Sequence, residues 1–289
     1  AVLFLSMTIR SKKRYADRLV QEDRLAYDQQ WEEIALRSQS DLERIQQVVT
    51  HISQRAEVLE KQISRASQAN DALSIAGKRA HWLDTGNSSL FSWAWEKDRE
   101  RRFADEVHHR IYRSMRMEGS ASPLQLVGDI GVLFAQAAAL NPHFQKVVKE
   151  WSWPSGKHLP CPVKRRERSI EKICRSYGGK ASRLVDLTRA SITFETFEGM
   201  IACLRSITED PRASVVSIKN RFRPNYSSRQ TAGYRNVALS LVLVDEFTMS
   251  LGVEAHICEL QLGLQAIEDR RKRLNGHERY VKFRNALAQ

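Results

Sequence analysis

The clearest β-strand in this sequence is the segment at residues 236–244, which reads Asn236-Val237-Ala238-Leu239-Ser240-Leu241-Val242-Leu243-Val244. Almost every residue is apolar or small, so other parts of the chain must cover both faces of the predicted strand. Further strands are predicted at residues 182–194, 214–222 and 253–262, with helices at 164–176, 195–207 and 264–274. This order of helices and strands predicts an α+β fold with a small mixed sheet flanked by helices.

The chain before this domain is predicted to be helical. We divide the sequence into a basic helix of juxtamembrane type at residues 1–35, a coiled-coil helix at 36–70, a helical region at 71–155 and the α+β domain at 156–289. Within the helical region, residues 124–140 form the most apolar run and predict a buried helix that ends at Asn141-Pro142. Residues 154–162 are predicted to be a linker.

An apolar stripe with steps of three and four residues predicts a coiled-coil seam in the second region. Its members include Leu42, Ile45, Val49, Ile52, Leu59 and Ile63. Such a stripe packs either on a second copy of the chain or on the chain's own body. The spacing leaves both arrangements open.

The first seven residues are apolar and end near Met7, and a basic cluster follows from Arg10 to Arg14. Seven residues are too few to cross a bilayer, which takes roughly 20. They are interpreted as the end of a truncated membrane anchor, with the basic cluster on the cytoplasmic side. The alternatives are an ordinary apolar helix start and the remnant of a targeting segment.

Positive charge is the main compositional signal. The 46 Lys and Arg residues exceed the 34 Asp and Glu residues and give a formal net charge of +12. This balance predicts a polyanionic partner, such as nucleotide phosphates, nucleic acid or an anionic membrane face. The composition excludes a polytopic membrane protein. Four cysteines without a CxxC motif argue against a zinc knuckle or a disulfide scaffold.

The positive charge is concentrated in two segments of the α+β domain. Basic residues outnumber acidic ones between residues 161 and 190, and residues 211–244 include six basic residues and no acid. Guanidinium groups bind phosphate oxygens in pairs, so two such segments around one sheet favour a phosphate site.

Two carboxylates, Asp186 and Glu259, lie within the predicted apolar strands. A carboxylate in such a place is costly unless it is paired or bound to a metal. One interpretation is an ion pair with Arg183 or Arg189. The other is a shared Mg²⁺ held by both carboxylates and by substrate phosphates, an arrangement that this cation prefers.

Two polar features accompany these acids. Glu259 and Gln261 are two residues apart, so they project from the same face of their strand. The step Gly233-Tyr234-Arg235 leads into the strand at 236–244 and places an aromatic ring beside a guanidinium. Such a pair can stack a purine base and hold its phosphates, although a tyrosine at a strand start is more often part of the core.

Taken together, residues 160–285 resemble the synthetase, or nucleotidyltransferase-like, domain of the RelA/SpoT family. The motifs that carry the resemblance, in the family's order, are Val163-Lys164 with Ser169-Ile170 and Lys172, Asp186-Leu187, Ile218-Lys219 with Phe222, Gly233-Tyr234-Arg235, Glu259 with Gln261, and Gly276-His277 with Tyr280. The resemblance implies transfer of pyrophosphate from ATP to the 3′-hydroxyl of GDP or GTP, which yields (p)ppGpp. No His-Asp signature of a hydrolase half is present.

The resemblance also implies residue roles. Asp186 and Glu259 would bind Mg²⁺, and Glu259 would activate the attacking hydroxyl. Tyr234 would stack on the acceptor guanine. The other implied nucleotide-binding residues are Lys164 or Arg165, Lys172, Lys219, Arg235, Gln261 and His277.

The sequence departs from the family pattern at several positions. Pro162, Ala238 and Gly263 stand where the family has Arg, His and Arg, respectively. Missing phosphate ligands are typical of a divergent or inactive copy. The alternatives to an enzyme are therefore a pseudoenzyme of the same fold that binds nucleotides or partners, and a basic protein that binds RNA or assembles through its coiled coil.

Overall fold

The computed structural model describes residues 2–69 and 123–273. His277 and residues 71–122 of the predicted helical region lie outside these ranges. Residues 2–7 belong to the beginning of a 36-residue helix. Among the described residues, no helix has both the length and the hydrophobicity needed to cross a membrane.

The described ranges contain seven α-helices, five strands and two short 3₁₀ turns. The helices are α1 (Val2–Arg37), α2 (Gln39–Ala69), α3 (Ile130–Ser152), α4 (Arg166–Ser176), α5 (Phe197–Glu209), α6 (Glu246–Ser250) and α7 (Gln265–Arg273). The strands are β1 (Gly156–Pro160), β2 (Arg189–Phe194), β3 (Ala213–Asn220), β4 (Val237–Leu243) and β5 (Cys258–Leu264). Two short 3₁₀ turns lie at Ala181–Arg183 and Ser228–Thr231.

The five strands form one mixed sheet in the order β1-β2-β5-β4-β3. Strands β2 and β5 are parallel, and the other neighbouring pairs are antiparallel. The α+β prediction with a small mixed sheet is therefore confirmed. Strand β4 lies between two partners, and the residues that face its two sides are almost all buried, as its sequence predicts.

One face of the sheet is apolar and is covered by helices. Helix α3 packs on β1 and β2, α5 packs on the neighbouring part of the sheet, and α2 packs on α5 and β3. Fully buried side chains such as Phe144, Phe194 and Met200 fill the space between these layers. The core therefore uses the N-terminal helices as well as the α+β domain.

Helix α3 differs from the prediction at residues 124–140. It begins at Ile130, where Asp129 caps it by accepting a hydrogen bond of 2.8 Å from the Val132 amide, and it continues past Pro142 to Ser152. A proline inside a helix costs about 3 kcal/mol. The buried stripe continues on both sides of Pro142, with residues such as Leu140 and Phe144, and its burial offsets that cost.

Two further predictions were wrong in their boundaries. The predicted linker at 154–162 contains β1, an edge strand that pairs with β2. The strand predicted at 182–194 begins only at Arg189, so Asp186 lies in the loop before β2 and not inside a strand. The branched residues that suggested a longer strand are used differently, since Leu184 and Leu187 are buried in a second cluster beneath α3 and α4.

The apolar stripe of α2 packs on the chain's own body. Ile45, Val49 and Ile52 are buried in the main core, and Leu42 packs against it. Because the sheet and α5 leave apolar surface that must be covered, the nearest amphipathic helix of the same chain covers it. These residues therefore offer no exposed seam to a second copy. The side chains of Leu59 and Ile63 lie outside the described part of the structure.

Replacement of Ile45 tests this packing. Ile45→Ala should lower the free energy of unfolding by about 2–5 kcal/mol, because it leaves a cavity between α2 and the core. The measurement is urea unfolding at two protein concentrations. Leu36→Ala, at a side chain that is 83% exposed, is the matched control and should cost far less. A loss that depends on protein concentration would instead place Ile45 in an interface between copies.

The stability of the fold should also depend on His256, which is buried just before β5. Burial lowers the pKa of His256 to about 4, below its ordinary value of 6.5. The unfolded chain therefore takes up this proton first as the pH falls. The contribution of His256 is complete above about pH 6.5 and is lost progressively toward pH 4, by up to about 3 kcal/mol.

Urea unfolding of the wild type and of His256→Gln at several pH values checks this expectation. Between about pH 7 and pH 5, the wild type should lose stability more steeply than the variant. Parallel curves would show that His256 does not contribute to the pH dependence.

Candidate functional site

The second face of the sheet is polar at its centre. Residues paired across neighbouring strands project from the same face, and here the pairs are Arg189 with Glu259 and Ser191 with Gln261 between β2 and β5, and Ser240 with Glu259 and Ala238 with Gln261 between β4 and β5. Most of these side chains are only partly buried. This face is the candidate site.

Asp186 approaches this face from the loop before β2. It is 8% exposed, and its Oδ2 accepts hydrogen bonds from the ammonium groups of Lys164, which precedes α4, and Lys172, which lies on α4. The Lys172 Nζ to Asp186 Oδ2 distance is 2.8 Å. The other oxygen, Oδ1, is buried and has no hydrogen-bond partner among the described residues. The Oδ2 atom of Asp186 thus has two ammonium partners, and the Oδ1 atom has none among the described residues.

The ion cluster shifts the pKa values of its members. Burial raises the pKa of Asp186, but the charges of Lys172 and Lys164 outweigh burial and hold the pKa below its ordinary value. Burial lowers the pKa of Lys172, but Asp186 and the Tyr177 hydroxyl reverse the shift, so that the net pKa is raised. For Lys164, burial prevails and the pKa is lowered. Asp186 is therefore ionised at neutral pH.

Backbone contacts fix the loop that carries Asp186. The Lys164 amide donates to the carbonyl oxygen of Leu187 over 3.0 Å. The buried Gln125 side chain donates to the carbonyl oxygens of Leu184 and Ile257 and accepts from the Ile257 amide. Gln125 therefore ties the Asp186 loop to the residue just before β5. The role of Gln125 was not predicted from the sequence, because its hydrogen-bond partners are distant in the chain.

Glu259 lies on β5, beside the start of β2. Its amide donates to the carbonyl oxygen of Thr188 over 2.9 Å, and its Oε2 accepts from the Gln261 Nε2 over 2.8 Å. Burial, followed by the nearby charge of Asp186, raises the pKa of Glu259. The two predicted carboxylates therefore lie at the same part of the sheet, since Asp186 is two residues before the Thr188 carbonyl that Glu259 contacts, and the charge of Asp186 acts on Glu259.

The pair of carboxylates fits a Mg²⁺ ion. No cluster of three or more His, Cys, Asp or Glu side chains suited to a metal occurs in the described ranges. Mg²⁺ is usually held by one or two carboxylates together with substrate phosphates, so two acids are enough. A cation held by Asp186 and Glu259 would give the unpartnered Oδ1 of Asp186 a ligand and would offset the negative charge that raises the pKa of Glu259.

The predicted phosphate-binding residues differ in their exposure and in whether they contact an acid. Lys164 and Lys172 contact Asp186. Lys219 is exposed on β3, where it pairs with Ala238 on the polar face. Arg165 is exposed at the N-terminus of α4. Among the predicted phosphate-binding residues that the structure describes, Lys164 and Lys172 are the two that contact a predicted acid directly.

Arg235 is buried away from the polar face. Its guanidinium lies 4.6 Å from the centre of the Trp31 ring and 5.4 Å from that of Tyr226. It donates to the carbonyl oxygens of Arg221 and Tyr226. Burial lowers the pKa of Arg235. The structure thus gives this arginine the role of holding the loop between β3 and β4 against α1.

Tyr234 lies next to β5 and α7. Its hydroxyl donates to Glu268, and the Arg271 guanidinium lies 5.5 Å from the centre of its ring. Burial, followed by the charge of Glu268, raises the pKa of Tyr234. Because Arg271 occupies one side of the ring, a base stacks on that side only when Arg271 moves.

Helix α1 covers the turn before Tyr234. Gly233 has a φ of +89°, and a Cβ atom at this position would lie 2.6 Å from the Tyr27 Cβ, so glycine allows this close approach. The Gln30 side chain donates to the carbonyl oxygen of Ala266 over 3.0 Å and accepts from Arg270 over 2.6 Å. Helix α1 therefore connects the Gly233 turn with α7.

The chain is similar to several solved structures at low sequence identity. No family model and no curated protein matches the sequence. The chain is similar to small alarmone synthetase 1 from Bacillus subtilis bound to its product pppGpp, at 16% identity over 54% of this chain and 87% of that chain, with a TM-score of 0.35. It is similar to a GTP pyrophosphokinase family protein from Streptococcus pneumoniae, at 12% identity over 53% of this chain and 83% of that chain, with a TM-score of 0.34.

A third similar structure is the complex of the Type VI effector Tas1 with its immunity protein. The identity is 20% over 54% of this chain and 74% of that chain, with a TM-score of 0.37. Two of the three structures thus carry names of the kind that the sequence motifs indicate. At these TM-scores the likeness carries no inference about activity.

Removal of the Asp186 charge tests the ion cluster. Asp186→Asn should lower the free energy of unfolding by about 3–5 kcal/mol, because it leaves the two lysine ammonium groups without their paired carboxylate. Urea unfolding measures this loss. Glu198→Gln, which removes the carboxylate of the ion pair with Arg44, is the control and should have little effect, because the Glu198 side chain is 63% exposed.

A second replacement distinguishes charge repulsion from lost packing. Lys172→Met in the Asp186→Asn background should restore part of the stability, because one of the two uncompensated charges is then gone. If the double variant is less stable than Asp186→Asn alone, the lysines are not the reason for the loss.

Proposed function

We propose that the protein is a guanine-nucleotide pyrophosphokinase, which transfers pyrophosphate from ATP to the 3′-hydroxyl of GDP or GTP. The observation that carries this proposal is the convergence of Asp186 and Glu259 on one polar face beside Lys164 and Lys172. Transfer of phosphoryl groups depends mainly on positioning and on neutralisation of charge. The four side chains supply acids and cations for both tasks.

Mg²⁺ is the proposed cofactor, and Asp186 and Glu259 would hold it. When bound, the ion would neutralise phosphate charge and orient the phosphates of ATP. The unpartnered Oδ1 of Asp186 is the atom that supports this assignment most directly.

The two lysines on Asp186 would bind the phosphates of ATP. An ammonium group has three donors, so each lysine can contact a phosphate oxygen in addition to, or in place of, the carboxylate. The side chain of Lys172 is 25% exposed and that of Lys164 is 11% exposed, so Lys172 is the more accessible to an incoming nucleotide. Lys219, exposed on the same face of the sheet, would extend this cationic surface.

Glu259 would accept the proton of the attacking hydroxyl. Its pKa is raised above the ordinary value, chiefly by burial, which makes the carboxylate a stronger base than one in water. The 3′-oxygen would then form a bond to the β-phosphorus of ATP, and AMP would leave. Tyr234 would stack on the guanine once Arg271 has moved from its ring.

The departures from the family pattern define the competing proposal. Ala238 lies on β4 and Gly263 on β5, and neither supplies the phosphate ligand that the family pattern has at its position. A protein that binds guanine nucleotides without turnover is the alternative that these positions favour. A cytoplasmic location with a membrane tether stays a prediction from the sequence.

Incubation of the protein with ATP, Mg²⁺ and either GDP or GTP tests the proposal. Anion-exchange chromatography should detect AMP together with a pyrophosphorylated guanine nucleotide. Glu259→Gln should lower kcat by about 10²- to 10⁴-fold, because a general base is lost. Glu195→Gln, at an exposed position just beyond β2, is the matched control and should leave the rate unchanged.

The negative outcomes are informative. If no product forms with either acceptor, the enzyme proposal is wrong. Retained binding of guanine nucleotide would then support the pseudoenzyme. Binding of RNA with a steep dependence on salt and without a nucleotide preference would support the basic RNA-binding protein.

A further inference from the structure

A chain of side-chain hydrogen bonds crosses three strands and ends on Glu259. Arg221, which follows β3, donates through Nη1 to the Oδ1 of Asn236 over 2.6 Å. Asn236 precedes β4 and donates through Nδ2 to the Oε1 of Gln261 over 3.2 Å. Gln261 donates through Nε2 to the Oε2 of Glu259 over 2.8 Å. We refer to these four residues as the relay.

The groups at the two ends of the relay, the Arg221 guanidinium and the Glu259 carboxylate, determine the direction of every hydrogen bond between them. A guanidinium has donors and no acceptor, so Asn236 must turn its oxygen toward Arg221 and its amide nitrogen toward Gln261. Gln261 must then accept with its oxygen and point its own nitrogen at Glu259. An ionised carboxylate only accepts hydrogen bonds, so the last link agrees with the first.

The middle of the relay is firmly held. Asn236 is 1% exposed, so it has no bulk water as an alternative partner. The Arg221 amide donates to the Asn236 carbonyl oxygen over 2.9 Å, and Arg235 donates to the Arg221 carbonyl oxygen over 3.0 Å. The backbone of Arg221 is therefore fixed on both sides, and its guanidinium starts from a defined place.

We propose that Arg221 is a positioning residue for Glu259, and that it acts through Asn236 and Gln261. This inference rests on the proposed function, because it assigns to Glu259 a task that needs a fixed orientation. The relay holds Oε2 in a defined contact and prevents Gln261 from turning its carbonyl oxygen toward the carboxylate. Without Arg221, both amides are free to reverse, and Glu259 loses its fixed donor.

The proposal gives Gln261 and Asn236 roles different from contact with nucleotide. In this arrangement the Gln261 amide nitrogen donates to Glu259, and the Gln261 amide oxygen accepts from Asn236. Gln261 thus acts on substrate through the carboxylate that it orients. Ala238, two residues beyond Asn236, has no side-chain polar group that competes for either amide.

Arg221→Met tests the first link. The variant keeps most of the aliphatic stem and removes the donors. It should lower kcat by about 10- to 100-fold with little change in KM for either nucleotide, since an orientation is lost and a binding contact is not. Arg221→Lys should restore part of kcat, because an ammonium is also a donor without an acceptor. Arg205→Met, at an exposed arginine on α5, is the control and should have no effect.

Asn236→Asp tests the second link and guards against a folding defect. Its carboxylate still accepts from Arg221 but cannot donate to Gln261. If the network only stabilises the sheet, this variant should be less stable in urea unfolding but should keep the kcat of the wild type. If the relay positions Glu259, it should lose kcat as Arg221→Met does.

Nuclear magnetic resonance of the nucleotide-free protein supplies a readout that does not depend on activity. In the wild type, the side-chain amide protons of Gln261 should exchange slowly with solvent. In Arg221→Met and Asn236→Asp, this exchange should be at least about 10-fold faster, while backbone amides of β4 and β5 keep their protection.

The outcomes separate the two proposals. Unchanged exchange at Gln261, unchanged kcat in an active enzyme, or no rescue by Arg221→Lys would overturn the relay. If the exchange responds as expected but the wild type makes no product, the relay in the free protein stands and the proposed enzymatic function falls.

Discussion

The parallel pairing of β2 with β5 is the constraint on which the site depends. In this register Arg189 lies opposite Glu259, and the Glu259 amide bonds to the residue before Arg189. A slip of one residue would turn Glu259 toward the buried face and Leu260 toward the polar one, because side chains alternate along a strand. The buried leucines of β5 make that slip costly. The same hydrophobic pattern that builds the core therefore also points the acid outward.

Charge on the polar face is balanced by contacts from several elements. The charge of Asp186 disfavours ionisation of Glu259. Lys164 and Lys172 both donate hydrogen bonds to Asp186, but they act on Glu259 only through their charge. Glu259 instead receives a neutral amide donor from Gln261. The two acids thus have unequal environments, one strongly paired and one weakly paired. Unequal environments allow two carboxylates in one site to take different roles.

Part of this arrangement can be read from the sequence. The apolar run at 236–244 and the alternation around Glu259 identify two central strands, and their local pattern needs no knowledge of the rest of the chain. The end of α3 could not be predicted in this way, because the stripe that continues beyond Pro142 stabilises the helix only when the sheet is present. Strand β1 is short and becomes recognisable only through its partner β2.

The candidate site also combines residues that the sequence predicts with residues whose placement depends on tertiary contacts. The motifs predict Asp186, Glu259, Lys172 and either Lys164 or Arg165 by type and order. They do not show that Asp186 lies in a loop, that Arg235 is buried between Trp31 and Tyr226, or that Arg271 covers Tyr234. Gln125 and Arg221 were missed because each acts through partners brought together by tertiary folding. Polar residues of this kind have no local signature in a single sequence.

The packing of α1 and α2 has a practical consequence for how the protein can be divided. A fragment that starts at residue 156 matches the motif-bearing part of the sequence, but it would lose α3, the stripe of α2 and the helix that rests on Gly233. Its sheet would present a bare leucine-rich surface to water, and Arg235 would lose the indole beneath it. Expression of that fragment alone should give an aggregating product whatever its chemistry, so the first two helices belong with the sheet in any minimal version.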